Sequence, residues 1–206
     1  MNLKKVPDCV TLGVSGGEVV AAEPSNSQGK PVDMLAARNT CLSLGVVAAV
    51  MWLILGPNNP LVALTVTGST ANLGLAAIPL ALRVPARWYH VPQWERQLHL
   101  LLGVPVFGWL LDHSGWNRTV ALPMRQLKIT KTTLPRLLEN IHAAEGAHAI
   151  AFVPHAALAM LALATGYVAG ALWLLLPGII LHFYPVMLQR WMTLRVAPLL
   201  RRPEFH

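Results

Sequence analysis

One stripe of residues could do chemistry. Leu134, Leu138, Ile141, Glu145, His148, Phe152 and His155 follow one another in alternating steps of four and three, which holds them on a single helical face. The stripe starts apolar and turns ionisable at Glu145. Glu145 and His148 are three apart, so their side chains are helical neighbours. A carboxylate beside an imidazole holds the ring's tautomer and raises its basicity, the arrangement of a general base. His142 lies on an adjacent face and can approach the same place. Ionisable groups near a bilayer are costly and usually functional. The pair therefore reads as catalytic, with His148 as base and Glu145 as its orienter. The rival reading is a hydrogen-bonded pair that only packs. A metal is disfavoured, and no metal ligand is assigned. His142-x-x-Glu145-x-x-His148 is neither the HExxH helix nor a membrane di-iron histidine box, and a site would have to recruit His99, His113 or His182.

Two further segments offer groups to bind a substrate. His182, Val186 and Gln189 share a face near the end of the last apolar stretch. Pro185 within it kinks the helix and frees a backbone carbonyl. Arg190 follows and offers a guanidinium fork to a phosphate or carboxylate. The rival reading is a span ending in a basic anchor. Thr65, Ser69 and Asn72 share a face of an earlier apolar stretch at i, i+4 and i+7. They are either helix–helix contacts or the wall of a substrate cavity lined by Asn72.

The elements that position these groups follow from charge and hydropathy. The chain has 206 residues, only 12% of them charged, and a mean hydropathy of +0.50. Asn39 to Leu82 and Gly146 to Gln189 contain no Asp, Glu, Lys or Arg. A helical span needs roughly 20 apolar residues, so each window holds two spans. The expected fold is an all-α integral membrane protein of four transmembrane helices, arranged as two hairpins with a cytoplasmic, helical or re-entrant middle segment. A soluble enzyme is excluded.

The expected divisions are a flexible tail at 1–33, a first hairpin at 34–82, an interfacial segment at 83–145, a second hairpin at 146–190 and a basic tail at 191–206. Within the interfacial segment, Leu98 to Leu111 is apolar but too short to span and reads as a re-entrant or interfacial element. Thr132 or Thr133 and Pro135 start a helix that runs straight into the third span. All 16 Lys and Arg residues fall outside the two charge-free windows, in or at the edges of the two tails and the middle segment. That places these parts, with both termini, on the cytoplasmic face of a bacterial inner membrane. The counter-charge is anionic lipid rather than nucleic acid. Asp8, Gly13 and Gly16 interrupt any apolar core behind Lys4 and Lys5, so no cleaved signal peptide is expected. Cys9 and Cys41 make no disulfide framework.

Three blocks resemble the glycosyl-4,4'-diaponeurosporenoate acyltransferase family, membrane enzymes that esterify the sugar of a glycosylated carotenoid. The first is Pro85-Ala86-Arg87-Trp88-Tyr89 with Trp94-Glu95-Arg96 and Gly115-Trp116-Asn117-Arg118. The second is Leu134-Pro135-Arg136-Leu137-Leu138-Glu139 leading to Ala144-Glu145-Gly146-Ala147-His148. The third is Tyr184-Pro185-Val186-Met187-Leu188-Gln189-Arg190-Trp191, then Arg195. The likeness covers roughly residues 83 to 202. It departs at His182, where members often carry Asn, and between Arg190 and Arg195, where they commonly carry an Asn-Arg pair.

The resemblance implies transfer of a fatty acyl group, from a thioester such as acyl-CoA, to a hydroxyl of a carotenoid glycoside or other isoprenoid acceptor. It implies no further cofactor. Substrate contacts would come from Asn72, Trp88, Trp94, Trp116, Asn117, Arg118, His182, Gln189 and Arg190. Trp88, Trp94, Trp109 and Trp116 also suit anchoring at headgroup level. The alternative functions are a non-enzymatic pigment- or quinone-binding protein or accessory subunit, and a metal-dependent oxidase using His142, Glu145, His148 and His182.

Overall fold

The computed structural model describes residues 33–116 and 133–201. Local capping chemistry sets the first elements. The Asp33 carboxylate accepts from the N–H groups of Leu35 and Ala36 at 3.0 Å each and starts helix α1 (Met34–Leu55). Gly56, at a φ of 76°, ends it. Asn59 caps α2 (Pro60–Ala81), with Pro60 in its first turn. A 3-10 turn (Ala86–Tyr89) leads to the short helices α3 (Glu95–Leu101) and α4 (Val104–His113). Helix α5 (Leu134–Ala164) follows, then α6 (Val168–Gly178), a π-helical turn (Ile179–Phe183), α7 (Tyr184–Val196) and a final 3-10 turn (Ala197–Arg201).

Met34–Leu55, Pro60–Ala81, Leu134–Ala164 and Val168–Leu200 are long and apolar enough to cross a bilayer. The stretch Leu98 to Leu111, expected as a re-entrant or interfacial element, is divided between α3 and α4. Gly103, in the left-handed region at a φ of 68°, separates α3 from α4. Both lie against α7. The calls on Asn117, Arg118 and residues 1–32 lie outside the described residues.

Large apolar side chains point outward. Leu53, Ile54, Leu64, Val153 and Met160 are exposed, whereas the interior is rich in Ala, Gly and Thr. That is the inverse of a water-soluble bundle, and it is how helices pack in lipid: small residues let backbones approach. Helix α5 is the hub and touches α2, α6, the π turn and α7. A Cβ on Gly74 of α2 would lie 3.5 Å from Ala151 Cβ and from the Ala147 carbonyl. A Cβ on Gly146 would fall 2.7 Å from Ala81 Cβ and 2.8 Å from Tyr89 Oη, so α5 and the end of α2 meet backbone to backbone.

The chain after Arg190 is not a tail as far as Arg201. Met192, Val196, Ala197, Leu199 and Leu200 pack on Leu134, Leu137, Leu138 and Ile141. The basic residues drew attention to charge, but the apolar ones between them recur at helical spacing and cover the first turns of α5.

At the opposite end, the α1–α2 turn docks on the start of α6. The Gly170 N–H donates to Asn58 Oδ1 at 2.9 Å, and a Cβ on Gly170 would collide with the Pro57 carbonyl. Gly170→Val should therefore lower the thermal midpoint in detergent micelles, consistent with an overpacking cost of about 1–3 kcal/mol. An unchanged midpoint would show that this turn does not hold the bundle together.

Candidate functional site

The last helix brings a cation into the bundle. Arg190 Nε donates to Glu95 Oε2 at 2.8 Å, and Nη2 donates to Glu95 Oε1 at 2.6 Å. Nη1 donates to Glu145 Oε1 at 2.7 Å. The fork–fork pairing with Glu95 is the strong, directional form of this contact. Glu95 and Glu145 are both buried, so α3, α5 and α7 are joined through one guanidinium. Neighbouring residues of the same motif position this end of α7. The Tyr184 hydroxyl donates to the Leu102 carbonyl at 3.0 Å, and Trp191 meets the His99 ring edge-on at 6.0 Å.

Several buried polar atoms near this bridge have no hydrogen-bond partner: both ring nitrogens of His99, Glu145 Oε2, Gln189 Oε1 and Thr193 Oγ1. His99 is one turn along from Glu95, and Thr193 one turn along from Gln189. Unpaired buried polar groups of this kind call for water or a polar ligand.

Three imidazoles and a hydroxyl form a second group. His148 Nδ1 lies 3.4 Å from His182 Nδ1. His182 Nε2 lies 3.2 Å from Thr70 Oγ1, and Thr70 Oγ1 lies 3.0 Å from His155 Nε2. His155 Nδ1 ends the series at the Leu174 carbonyl, 2.8 Å away. Thr70, His155 and His182 are buried, and His148 is half-buried. Pro185 is four residues beyond Leu181 and has no N–H to return to it. The π-helical turn before Pro185 accommodates the same interruption.

These contacts correct the expected acid–imidazole couple. Glu145 and His148 share the inward face of α5, but each has another partner: Glu145 has Arg190, and His148 has His182. A fully charged guanidinium with several donors outcompetes a single imidazole N–H for a buried carboxylate. Arg190, in turn, has its fork occupied by Glu95 rather than open to a substrate.

The remaining candidates are dispersed. Asn72 Nδ2 donates to the Gly68 carbonyl of its own helix at 2.8 Å. Thr65 Oγ1 bonds back to Leu61 and Val62, and Ser69 Oγ donates to the Cys41 carbonyl of α1 at 2.9 Å. Ser69 thus meets α1, while the inward face of α2 is that of Val62, Val66, Thr70 and Ala77. Trp88, Trp94, Trp109 and Trp116 are all more than half exposed, from 69% at Trp88 to 53% at Trp116. Gln189 is beside Arg190 on α7.

Sequence reasoning missed Thr70 and Glu95. A signal for Thr70 existed in the small-residue run Val62, Val66, Thr70, Gly74 at i+4 steps. Nothing local links Glu95 to Arg190.

A cleft of about 420 Å³ opens beside the end of α2, lined by Tyr89, Leu138, Glu139, His142 and Leu200 among others. Tyr89 stacks on His142 with ring centroids 4.6 Å apart and 5° between planes. Its hydroxyl donates to the Ala81 carbonyl at 2.8 Å. Burial first, then the Glu145 charge, pushes the Tyr89 phenol above its ordinary range and keeps it a donor.

Two predictions follow from this geometry. Arg190→Met strands two buried carboxylates and should destabilise the protein by about 3–5 kcal/mol, read as a large drop in thermal midpoint. Arg190→Lys should recover only part, because a point charge cannot make the fork. A midpoint unchanged in Arg190→Met would refute the bridge.

His99 supplies the second test. Burial holds its imidazole below the ordinary range, against the opposing pull of Glu95 and with a smaller push from Arg190 in the same direction. The unfolded chain then takes up a proton that the folded protein refuses. Stability is full above about pH 6.5 and falls as pH drops below it. Measured midpoints across this window should fall less steeply in His99→Phe than in the parent; equal slopes would exclude His99.

A family model described as glycosyl-4,4'-diaponeurosporenoate acyltransferase matches residues 85–202. The match includes Glu95, His99, Glu145, His148, His155, His182 and Arg190, and so nearly every residue of both groups, while Thr70 falls outside it. Neither curated proteins nor solved structures yield a match. The matched segment covers more than half of the chain, and the chain belongs to this acyltransferase family of carotenoid biosynthesis.

Proposed function

We propose that the protein is a membrane acyltransferase that moves a fatty acyl group from a thioester, such as acyl-CoA, to a hydroxyl of a carotenoid glycoside or similar isoprenoid acceptor. The observation that carries this reading is His148. It is the half-buried end of a buried imidazole group, within the segment that matches the family.

In the proposed step, the His148 ring takes the proton of the acceptor hydroxyl. The hydroxyl oxygen forms a bond to the thioester carbonyl carbon. The carbon–sulfur bond then breaks, and the thiolate recovers the proton from the imidazolium. No covalent acyl-enzyme is required. Glu145 serves by holding Arg190, and the Glu95–Arg190–Glu145 bridge fixes the helices around the base. A preorganised base of this kind contributes without reorganisation at the moment of reaction.

Two features of the molecule suit the substrates. An apolar groove of about 300 Å³, lined by Ala48, Trp52, Leu53, Val66, Leu158 and Leu161, is walled for an isoprenoid or acyl chain. The exposed tryptophans suit the headgroup level, where an amphiphilic acceptor would present its sugar. In this reading both termini, with their Lys and Arg, face the cytoplasm across a bacterial inner membrane, the side on which a soluble acyl thioester is available.

The test is turnover of acyl-CoA by purified protein in lipid nanodiscs containing a carotenoid glycoside. His148→Ala should lower kcat by about 10²–10⁴-fold, the usual worth of a general base. Glu145→Gln should lower stability more than it lowers kcat in the molecules that remain folded. Full activity in His148→Ala would remove the mechanism. Stoichiometric pigment that is never esterified would favour a binding protein instead.

A further inference from the structure

We infer that Thr70, His155 and His182 are positioning residues that present His148 as a base through one particular nitrogen, Nε2; the inference rests on the acyl-transfer reading above. The direction of each hydrogen bond follows from the end of the series. A backbone carbonyl can only accept, so the proton of His155 is on Nδ1, toward Leu174 at 2.8 Å. A neutral imidazole has one N–H, so with the rings neutral His155 Nε2 is a lone pair. It must receive the Thr70 hydroxyl proton across 3.0 Å.

That proton is the only one Thr70 has. Its oxygen can still accept, so His182 Nε2, 3.2 Å away, carries a proton and donates it. His182 Nδ1 is then a lone pair, and His148 Nδ1, at 3.4 Å, donates to it. His148 is left with its lone pair on Nε2. The Thr70 hydroxyl has a competing acceptor in the Thr67 carbonyl at 3.1 Å. Turning it there would leave the His155 lone pair facing an oxygen, so only the stated order makes each of the four contacts of the series a hydrogen bond.

The series is anchored at its His155 end. A Cβ on Gly178 would fall 2.7 Å from His155 Cβ and 2.8 Å from Cγ, so the ring is seated against bare backbone of α6. A base with a fixed tautomer needs no rearrangement before it accepts a proton. In a serine-protease triad the wrong histidine tautomer costs roughly 10⁴ in kcat.

The experiment uses full-length protein, labelled with ¹⁵N-histidine, in lipid nanodiscs. Nitrogen NMR, assigned with single-histidine variants, should show protonated Nδ1 on His148, Nε2 on His182 and Nδ1 on His155. A protonated Nε2 on neutral His148 overturns the inference whether or not the protein turns over substrate. In the kinetic arm, Thr70→Val should lower kcat by at least about tenfold with little change in KM, and Thr70→Ser, which keeps the hydroxyl, should restore it. Wild-type kcat in a folded Thr70→Val variant also overturns the inference. If Thr70→Val does not fold, the wild-type tautomers and the activity of Thr70→Ser decide. Wild-type protein with the stated tautomers but no thioester turnover upholds the series and overturns the acyl-transfer reading instead.

Discussion

A guanidinium does not give up its proton inside a protein, so bringing Arg190 into the bundle obliges carboxylates to come to it. Two do, from helices far apart in sequence, and each is buried against the partly buried guanidinium. Desolvated charges hold their partners far more tightly than exposed ones, because separation would leave each in a poor solvent. The bridge consequently fixes α3 and α5 relative to α7. The Tyr184 contact with Leu102 and the His99–Trp191 contact join α7 to the same segment as Glu95.

The two polar groups of the interior differ in kind. The bridge is ionic and assembled from three helices, and several of its neighbours have unpaired polar atoms. The imidazole series contains no carboxylate, is closed at a backbone carbonyl, and orders its hydrogen bonds without any formal charge. A base inside a mostly apolar bundle benefits from the second arrangement, since a neighbouring anion would itself need a counter-charge. That gives a physical reason for Glu145 and His148 to be neighbours on one helix without being partners.

Proline and glycine have specific roles here. Pro185 withholds an N–H from Leu181, and the π turn before it widens the helix where His182 sits. Gly178 opens room for the His155 ring and Gly146 for Tyr89, both at separations no Cβ tolerates. Such local departures from ideal helix cost stability and persist where the packing around them demands it.

The four apolar segments, the continuous helix from Leu134 to Ala164 and the inward face carrying Glu145, His148 and His155 were legible from residue spacing alone. Spacing determines which side chains share a face, and hydropathy determines which stretches lipid can surround. The partners were not legible in the same way. Glu95 and Arg190 are separated by 95 positions, and Thr70 and His182 by 112. No local pattern encodes contacts at that range. The tertiary structure also decided which polar face of α2 turns inward, choosing Thr70 over the Thr65, Ser69 and Asn72 stripe. Ser69 is engaged with the Cys41 carbonyl of α1, and only the packing of α2 between α1 and α5 determines which face meets which helix. A one-dimensional pattern states that a helix has two faces; it takes the third helix to say which one is inside.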